Sequence, residues 1–151
     1  MTNDKRIVAA ALIPRFYLGL IFLIAVKPKL TAPHGFPAAL RGFLENVAMQ
    51  NAPAWYQSFL SGVVLPHLAL VGYAIVAAEL FVAVALLGGF ATRIAAVVVI
   101  FLNLNYMLAK GMALWSPASN DAADVMLALV VLFTDPGRVF GFDALRPRSR
   151  R

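Results

Sequence analysis

The chain has 151 residues, of which 62% are apolar and only 13% are charged. Soluble domains carry about 45–50% apolar and about 25% charged residues, and a globule of this length has too little interior to bury the excess. The composition therefore excludes an ordinary soluble domain and indicates an integral membrane protein. The net charge of +6 does not indicate nucleic-acid binding, because the charges gather at the ends of apolar segments, where they orient helices. The absence of cysteine excludes disulfide exchange, iron–sulfur clusters and c-type haem.

The first predicted span covers residues 7–26, and its length matches a bilayer core about 30 Å thick. Pro14 and Arg15 interrupt an otherwise apolar run. Lys5-Arg6 before that run also fits a signal peptide. We reject this alternative, because the basic sequence KPK (27–29) follows where a small-residue cleavage site would stand.

The stretch over 33–62 differs from its surroundings and forms a predicted outer segment. It contains recurring prolines with polar residues between them. Apolar residues within it repeat at helical spacing: Phe36, Leu40, Phe43, Leu44 and Val47. This spacing predicts a short amphipathic helix from about Pro37 to Met49 that lies on the membrane surface. A loop helix that packs on the bundle fits the same pattern equally well.

Three further spans are predicted at about 66–88, 93–109 and 118–134. They end at Gly88-Gly89, at Lys110-Gly111 and at the sequence TDPG (134–137), because Gly and Pro stop helices. The predicted fold is all-α: a single-domain integral membrane four-helix bundle over 1–151, with an extra amphipathic helix in the first outer loop. A basic tail follows over 138–151.

The distribution of positive charge predicts how the bundle is oriented. Four spans place both termini on one side, where eight Lys and Arg residues lie, whereas four lie on the other side. The positive-inside rule then puts both termini in the cytoplasm, which we assign to a bacterial inner membrane. Trp55, Tyr56 and Trp115 fall on the outer side as predicted interface anchors, although they would also serve to pack the loops. The arginines of the tail either orient the last helix, which is the simpler interpretation, or bind anionic lipid.

Polar residues inside the predicted spans are the main candidates for function. At about 1.5 Å per residue, Arg15, Glu79 and Asp124 lie about 12, 13 and 15 Å deep, and Asn103 lies about 15 Å deep. A charge in hydrocarbon is costly, so such groups face the interior of the bundle and pair with one another. We therefore predict an Arg15–Glu79 ion pair in a polar layer that binds the head of an amphipathic ligand. A layer that only fixes helix register is the alternative.

Two further residues, Asn105 and His67, are predicted contributors to this layer. A transmembrane haem is not expected, because His34 lies in a loop, whereas axial ligands require facing helices. The sequence has no spacing typical of a metal site, no nucleophile elbow and no phosphate-binding loop. No metal is predicted, and no residue is assigned a catalytic role.

Several short motifs occur in an order that resembles the DoxX-like and DoxD-like proteins. Residues 15–22 (RFYLGLIF) followed by 27–29 (KPK) are similar to the R-x-x-x-G-x-x-F…K opening of that family. Glu79 followed by 88–96 (GGFATRIAA) is similar to its E…GL-x-TR-x-A-A segment between helices two and three. Asn103 or Asn105 matches its helix-three asparagine, and 135–143 (DPGRVFGFD) resembles its G-R…G-x-D close. The segment from Pro33 to Ser61 departs from the family, since small DoxX proteins have a short loop there.

The resemblance implies a four-helix membrane bundle linked to respiratory redox chemistry. DoxD is a membrane subunit of a thiosulfate:quinone oxidoreductase that works beside a DoxA subunit. We therefore expect a quinone-associated subunit with a redox partner, in which Arg15 and Asn103 donate to the quinone and Glu79 or Asp124 passes protons. The alternative is a non-catalytic accessory subunit that uses its long outer segment to pack against a larger complex. A homo-oligomer that forms a transport path is a third, weaker hypothesis, and membrane lipids are expected partners in all three.

Overall fold

The computed structural model describes residues 3–113, 116 and 119–145. Every element in these residues is helical, which confirms the all-α prediction. The eight α-helices are α1 (Asn3–Ala10), α2 (Leu12–Leu30), α3 (Phe36–Phe43), α4 (Met49–Asn51), α5 (Ala54–Phe59), α6 (Leu68–Gly88), α7 (Thr92–Lys110) and α8 (Asn120–Thr134). A π-helical turn, Leu44–Ala48, joins α3 to α4, and a second one, Leu60–Val64, follows α5. Two 3₁₀ turns follow α8: Pro136–Arg138 and Phe142–Leu145.

Two helices in the described part of the chain, α6 and α7, are long and apolar enough to cross a membrane. The helix α2 has 19 residues but carries Arg15, Lys27 and Lys29, and α8 has only 15 residues. Length and composition therefore support two of the four predicted spans.

The first predicted span, 7–26, is divided in the structure into α1 and α2. Pro14 has no amide hydrogen, and its ring clashes with the carbonyl four residues earlier, which belongs to Ala10. Helix α1 ends at Ala10, and α2 begins at Leu12. The long helix consequently runs from 12 to 30, several residues later than predicted, and Arg15 lies in its first turn.

The core is a bundle of four helices in which α2 packs on α6, α6 on α7, α7 on α8 and α8 on α2. Small residues allow close approach of the helices: Ala83, Ala85, Ala95, Ala96 and Ala128 are fully buried. Gly19 of α2 lies against Leu87 of α6, since a Cβ on Gly19 would be 2.9 Å from Leu87 Cγ. This contact fixes the register between the two helices.

The predicted outer segment, here called the 33–62 segment, packs on α6 and α7 and forms a second core. Its buried residues recur every four positions: Leu40, Leu44, Ala48, Ala52, Tyr56 and Leu60. An α-helix has 3.6 residues per turn, so a four-residue repeat drifts by about 40° per step. The two π-helical turns bond five residues back instead of four, and this wider winding keeps the buried stripe on one side. The segment is thus a helical layer on the bundle.

Residues 135–145, here called the 135–145 hook, turn back onto the loop between α6 and α7. The backbones of Gly141 and Gly89 are in direct contact. A Cβ on Gly141 would lie only 2.6 Å from the Gly89 carbonyl oxygen. The Asp143 amide donates to that same carbonyl at 2.9 Å. Both glycines have positive φ, of +69° and +154°. This contact therefore requires glycine at both positions.

Candidate functional site

Arg15 and Glu79, together with the polar side chains that bond near them, lie in two groups at opposite ends of α2. The contact between Gly19 of α2 and Leu87 of α6 serves as a reference point for position along the bundle. Lys29 lies ten residues after Gly19 on α2, or about 15 Å from this point. Glu79 lies eight residues before Leu87 on α6, or about 12 Å from it in the same direction. These two residues are therefore level. Arg15 lies four residues in the opposite direction, level with Gly89. We call these two levels the Lys29 level and the Gly89 level.

At the Gly89 level, Arg15 is fully buried and bonds to the hook. Its Nη1 donates to the carbonyl of Phe140, and Asp143 is the carboxylate whose charge acts on the guanidinium. A Cβ on Gly89 would be 2.8 Å from Arg15 Nη1, so the absence of a side chain at Gly89 makes room for the guanidinium. Nε and Nη2 have no hydrogen-bond partner among the described residues.

Asp143 and Asp135 hold the beginning of α7 in the same region. Asp143 accepts from the amides of Ala91 and Thr92 at 3.0 and 3.1 Å, as negative groups at helix N-termini commonly do. The Thr92 hydroxyl lies 2.9 Å from Asp135 Oδ1 and 3.1 Å from Asp143 Oδ2. Arg93 and Arg138 pair with Asp135 at 3.2 and 2.7 Å. This group ties the hook to the α6–α7 loop.

The predicted Arg15–Glu79 ion pair is wrong. Arg15 bonds to Phe140, whereas Glu79 bonds to Lys29 and Tyr106. The prediction counted depth from residue 7, but Pro14 moves the start of the long helix to Leu12. Arg15 consequently lies near the end of the bundle, and Glu79 lies about 15 Å away along α6.

At the Lys29 level, Glu79 is 1% exposed and holds two donors on one oxygen. Lys29 Nζ forms a salt bridge with Glu79 Oε1, and the Tyr106 hydroxyl donates to the same atom at 2.6 Å. Glu79 Oε2 is buried without a hydrogen-bond partner among the described residues. The C-terminal end of α2, the middle of α6 and the C-terminal half of α7 therefore meet at one carboxylate.

The other members of the predicted polar layer do not join this cluster by hydrogen bonds. Asn103 is buried, and its Nδ2 donates to the Val99 carbonyl of its own helix at 2.9 Å. Asp124 is also buried, and within the described residues it makes no hydrogen bond or ion pair. The polar groups therefore form local contacts at two levels instead of one continuous layer.

The predicted contributors and anchors have different surroundings. Asn105 accepts from the Tyr56 hydroxyl at 2.9 Å and donates to the Phe101 carbonyl. Tyr56 is 6% exposed and packs the 33–62 segment onto α7, and burial raises its pKa. Trp55 beside it is 63% exposed, and the roles of Trp55 and Tyr56 as interface anchors stay predictions. His67 is exposed and bonds to the Val63 carbonyl, away from both levels, and Trp115 lies outside the described residues.

A pocket of about 500 Å³ lies between the 33–62 segment, α6 and α7. Its walls are mainly apolar: Phe36, Leu40, Phe43, Leu44, Leu60, Val64, Val71, Ile75 and Leu102. Lys29 and Tyr106 supply polar groups to its wall, as do Tyr56, Asn105 and Lys110. Three large apolar lining residues are well exposed and mark its open side: Phe59 (43%), Val63 (49%) and Phe101 (63%). The pocket therefore combines an apolar interior, an open apolar side and a polar region at the Lys29 level.

Sequence reasoning missed Lys29 and Tyr106 as site residues. From the sequence, Lys29 is part of a basic sequence that follows the first span, and no role is assigned to Tyr106. The available signal was the antiparallel order of α2 and α6, which brings the last turn of α2 to the middle of α6. The described residues contain no group of three His, Asp or Glu side chains that could ligate a metal.

Comparison with known proteins gives one family. Residues 10–110 match the family model described as DoxX. The matched range includes Arg15, Lys29, Glu79 and Tyr106. No curated protein and no solved structure matches the chain. The match extends over two thirds of the sequence and agrees with the all-helical fold and the apolar helices α6 and α7. The chain belongs to the DoxX family and is a membrane protein of that family.

Proposed function

We propose that this protein is a quinone-binding membrane subunit that serves a redox partner. The observation that carries the proposal is the pocket beside α7, with its apolar interior and its polar groups at the Lys29 level. Ligand pockets in proteins commonly measure about 300–1,000 Å³ and are mostly apolar with a few polar groups that orient the ligand. A quinone has the matching chemistry, since it joins a ring with two hydrogen-bond acceptors to an apolar tail.

The size and the opening of the pocket suit a long-tailed ligand. A volume of about 500 Å³ accommodates a ring and the beginning of a tail. The rest of the tail would leave through the open side between Phe59, Val63 and Phe101. Phe101 lies nine residues from each end of α7, so this opening would face the hydrocarbon of a membrane that α7 crosses.

Lys29 is the proposed donor to the quinone. Its ammonium has three N–H donors, of which one is directed to Glu79. The side chain is 21% exposed and lines the pocket, so the other donors are available to a carbonyl. Glu79 balances the charge of Lys29, which keeps an ammonium acceptable in an apolar wall.

A redox partner is part of the proposal, because the chain has no cysteine to ligate an iron–sulfur cluster and electron transfer needs a cofactor. We place this subunit in a bacterial inner membrane with both termini in the cytoplasm, as the distribution of positive charge predicts. The structural alternative is an accessory subunit, which is favoured by the exposed Trp55 and Phe59 of the 33–62 segment as a docking face.

The experiment that tests this function fills the pocket without removing a polar group. Both Ala38 and Ala39 are exposed, but only Ala39 lines the pocket, so Ala39→Trp and Ala38→Trp form a matched pair. The measurement is quinone retained through purification, determined by solvent extraction, and titration with a short-chain prenylated benzoquinone. We expect wild type and Ala38→Trp to bind it and Ala39→Trp to lose binding by about tenfold or more. If wild type binds no quinone but copurifies with a stoichiometric partner, the accessory role replaces the proposal.

A further inference from the structure

The Tyr106 hydroxyl has its hydrogen directed away from the pocket. It lies 2.6 Å from Glu79 Oε1, the oxygen that also receives Lys29. Because this oxygen also accepts from the Lys29 ammonium, it has no hydrogen to give, so the Tyr106 hydroxyl is the donor of the bond. The lone pairs of the Tyr106 oxygen are then what this side chain offers to a ligand, so Tyr106 acts as an acceptor in the pocket wall.

Lys29 offers the opposite hydrogen-bonding capacity at the same place. An ammonium has donors only. Lys29 Nζ and the Tyr106 hydroxyl both contact Glu79 Oε1, and Lys29 Nζ lies 5.6 Å from the centre of the Tyr106 ring. A single ligand oxygen can therefore reach both groups, and it meets one donor and one acceptor.

We propose that the pocket binds the hydroquinone form of its ligand in preference to the quinone form. This inference rests on the proposed function and names the form that the site selects. A phenolic hydroxyl of a hydroquinone accepts from Lys29 and donates to Tyr106. A quinone carbonyl accepts from Lys29 but has no hydrogen for Tyr106, so the two oxygens face each other with lone pairs.

The other polar lining groups do not reverse this preference. Lys110 bonds to Asp121 at 2.7 Å, and as an ammonium it donates equally to a carbonyl or a hydroxyl. The Tyr56 hydroxyl donates to Asn105, whose Nδ2 donates to the Phe101 carbonyl, so the hydrogen of Tyr56, like that of Tyr106, is directed to a protein group, and its lone pairs do not favour the quinone form. We assign the difference between the two forms to Tyr106, because its oxygen lies beside the Lys29 donor on the same Glu79 oxygen.

The size of the preference follows from one additional hydrogen bond. A net hydrogen bond in a protein contributes about 0.5–1.5 kcal/mol, which corresponds to a factor of about two to ten in Kd. We expect the hydroquinone to bind more tightly than the quinone by this factor. The difference should disappear when the Tyr106 oxygen is removed.

The test compares two Kd values in the same detergent-purified protein. The probes are a short-chain prenylated benzoquinone and its chemically reduced hydroquinone, titrated without oxygen. The chain has no cysteine, so thiol addition to the quinone does not interfere. Wild type and Tyr17→Phe, a change at an exposed tyrosine outside the pocket, should show the preference. Tyr106→Phe should bind both forms equally.

The possible results separate the inference from the function on which it rests. If wild type binds both forms with the same Kd, the inference is overturned and the quinone-binding function stands. A preference that persists in Tyr106→Phe also overturns it. If wild type binds neither form, both proposals fail. Since the wild-type ratio alone decides the first outcome, the test does not depend on the stability of the variant.

Discussion

The guanidinium of Arg15 donates to the backbone carbonyl of Phe140, 125 positions later in the chain. This bond joins the first turn of α2 to the 135–145 hook, beside the contact between Gly89 and Gly141. The buried arginine thus closes one end of the bundle and lies about 15 Å from Glu79 along α6. Arg15 therefore stabilises the fold, whereas Lys29, Glu79 and Tyr106 form part of the proposed binding site.

Replacing Arg15 with Met should lower stability and leave quinone affinity unchanged. The variant loses a charge-assisted hydrogen bond to Phe140 and the electrostatic attraction between the guanidinium and Asp143, and we expect a loss of about 1–3 kcal/mol in the free energy of unfolding. Thermal unfolding in detergent measures this loss. Arg41→Gln is the control, because Arg41 is exposed and its 3.4 Å pair with Glu45 should contribute almost nothing. A tenfold weaker quinone affinity in folded Arg15→Met would contradict the structural assignment.

Gly141→Ala should displace the hook from the α6–α7 loop. Its Cβ would lie 2.6 Å from the Gly89 carbonyl oxygen, and alanine is strained at a φ of +154°. We expect a lower melting temperature and faster proteolysis within 135–145. Gly42→Ala provides the opposite expectation, because no atom lies within 4 Å of its Cβ and alanine stabilises the helix α3 by about 0.5–1 kcal/mol. Equal resistance of wild type and Gly141→Ala to protease would show that the hook is not held there.

Lys29→Gln should weaken quinone binding, whereas Lys27→Gln should not. Lys29 lines the pocket, and a hydrogen bond from a charged donor contributes about 1.5–3 kcal/mol, so the affinity should fall by roughly ten- to hundredfold. Glutamine keeps a donor for Glu79 and limits the cost of leaving that carboxylate buried. Lys27 lies in the same turn of α2 but is exposed, which makes it a matched control. Isothermal titration with the short-chain quinone measures both affinities. If Lys29→Gln and Lys27→Gln change the affinity equally, Lys29 is not part of the binding site.

The stability of wild type should depend on pH above about 10 through Tyr56. Burial raises the pKa of Tyr56, so the folded state keeps this hydroxyl protonated at a pH where the unfolded chain ionises it. The contribution is fully present below the unfolded pKa of about 10 and is lost as the pH rises through the folded pKa. The difference in melting temperature between wild type and Tyr56→Phe should therefore shrink above about pH 10. A constant difference from about pH 8 to about pH 11 would contradict this expectation.

The sequence predicted the helical fold well because its signals there are local. Gly88-Gly89 ends α6, and Lys110-Gly111 ends α7, near the predicted positions. The spacing of Leu40 and Leu44 predicted a helix in the 33–62 segment, and both side chains are buried. Glycine, proline and apolar spacing act on neighbouring residues, so one sequence is enough to interpret them.

The partners of the buried charges could not be found in the same way. Pairing depends on the register between helices, and a shift of five residues at the start of the first helix moves a side chain by about 7 Å. Pro14 accounts for about half of the distance of about 15 Å between Arg15 and Glu79, and the register set by the Gly19–Leu87 contact accounts for the rest, so Lys29 is the residue that reaches Glu79. The bond to Phe140 depends on a chain reversal after α8, for which the sequence offered only the stop at 134–137.

The exposed ring of Phe101, at the midpoint of α7, has a consequence for how the pocket would be filled. A ligand that enters beside this ring passes from the lipid phase into the protein without crossing water. Occupancy would then follow the mole fraction of the ligand in the bilayer and would be insensitive to its aqueous solubility. Lengthening the isoprenoid tail should therefore change partitioning into the membrane much more than affinity within it.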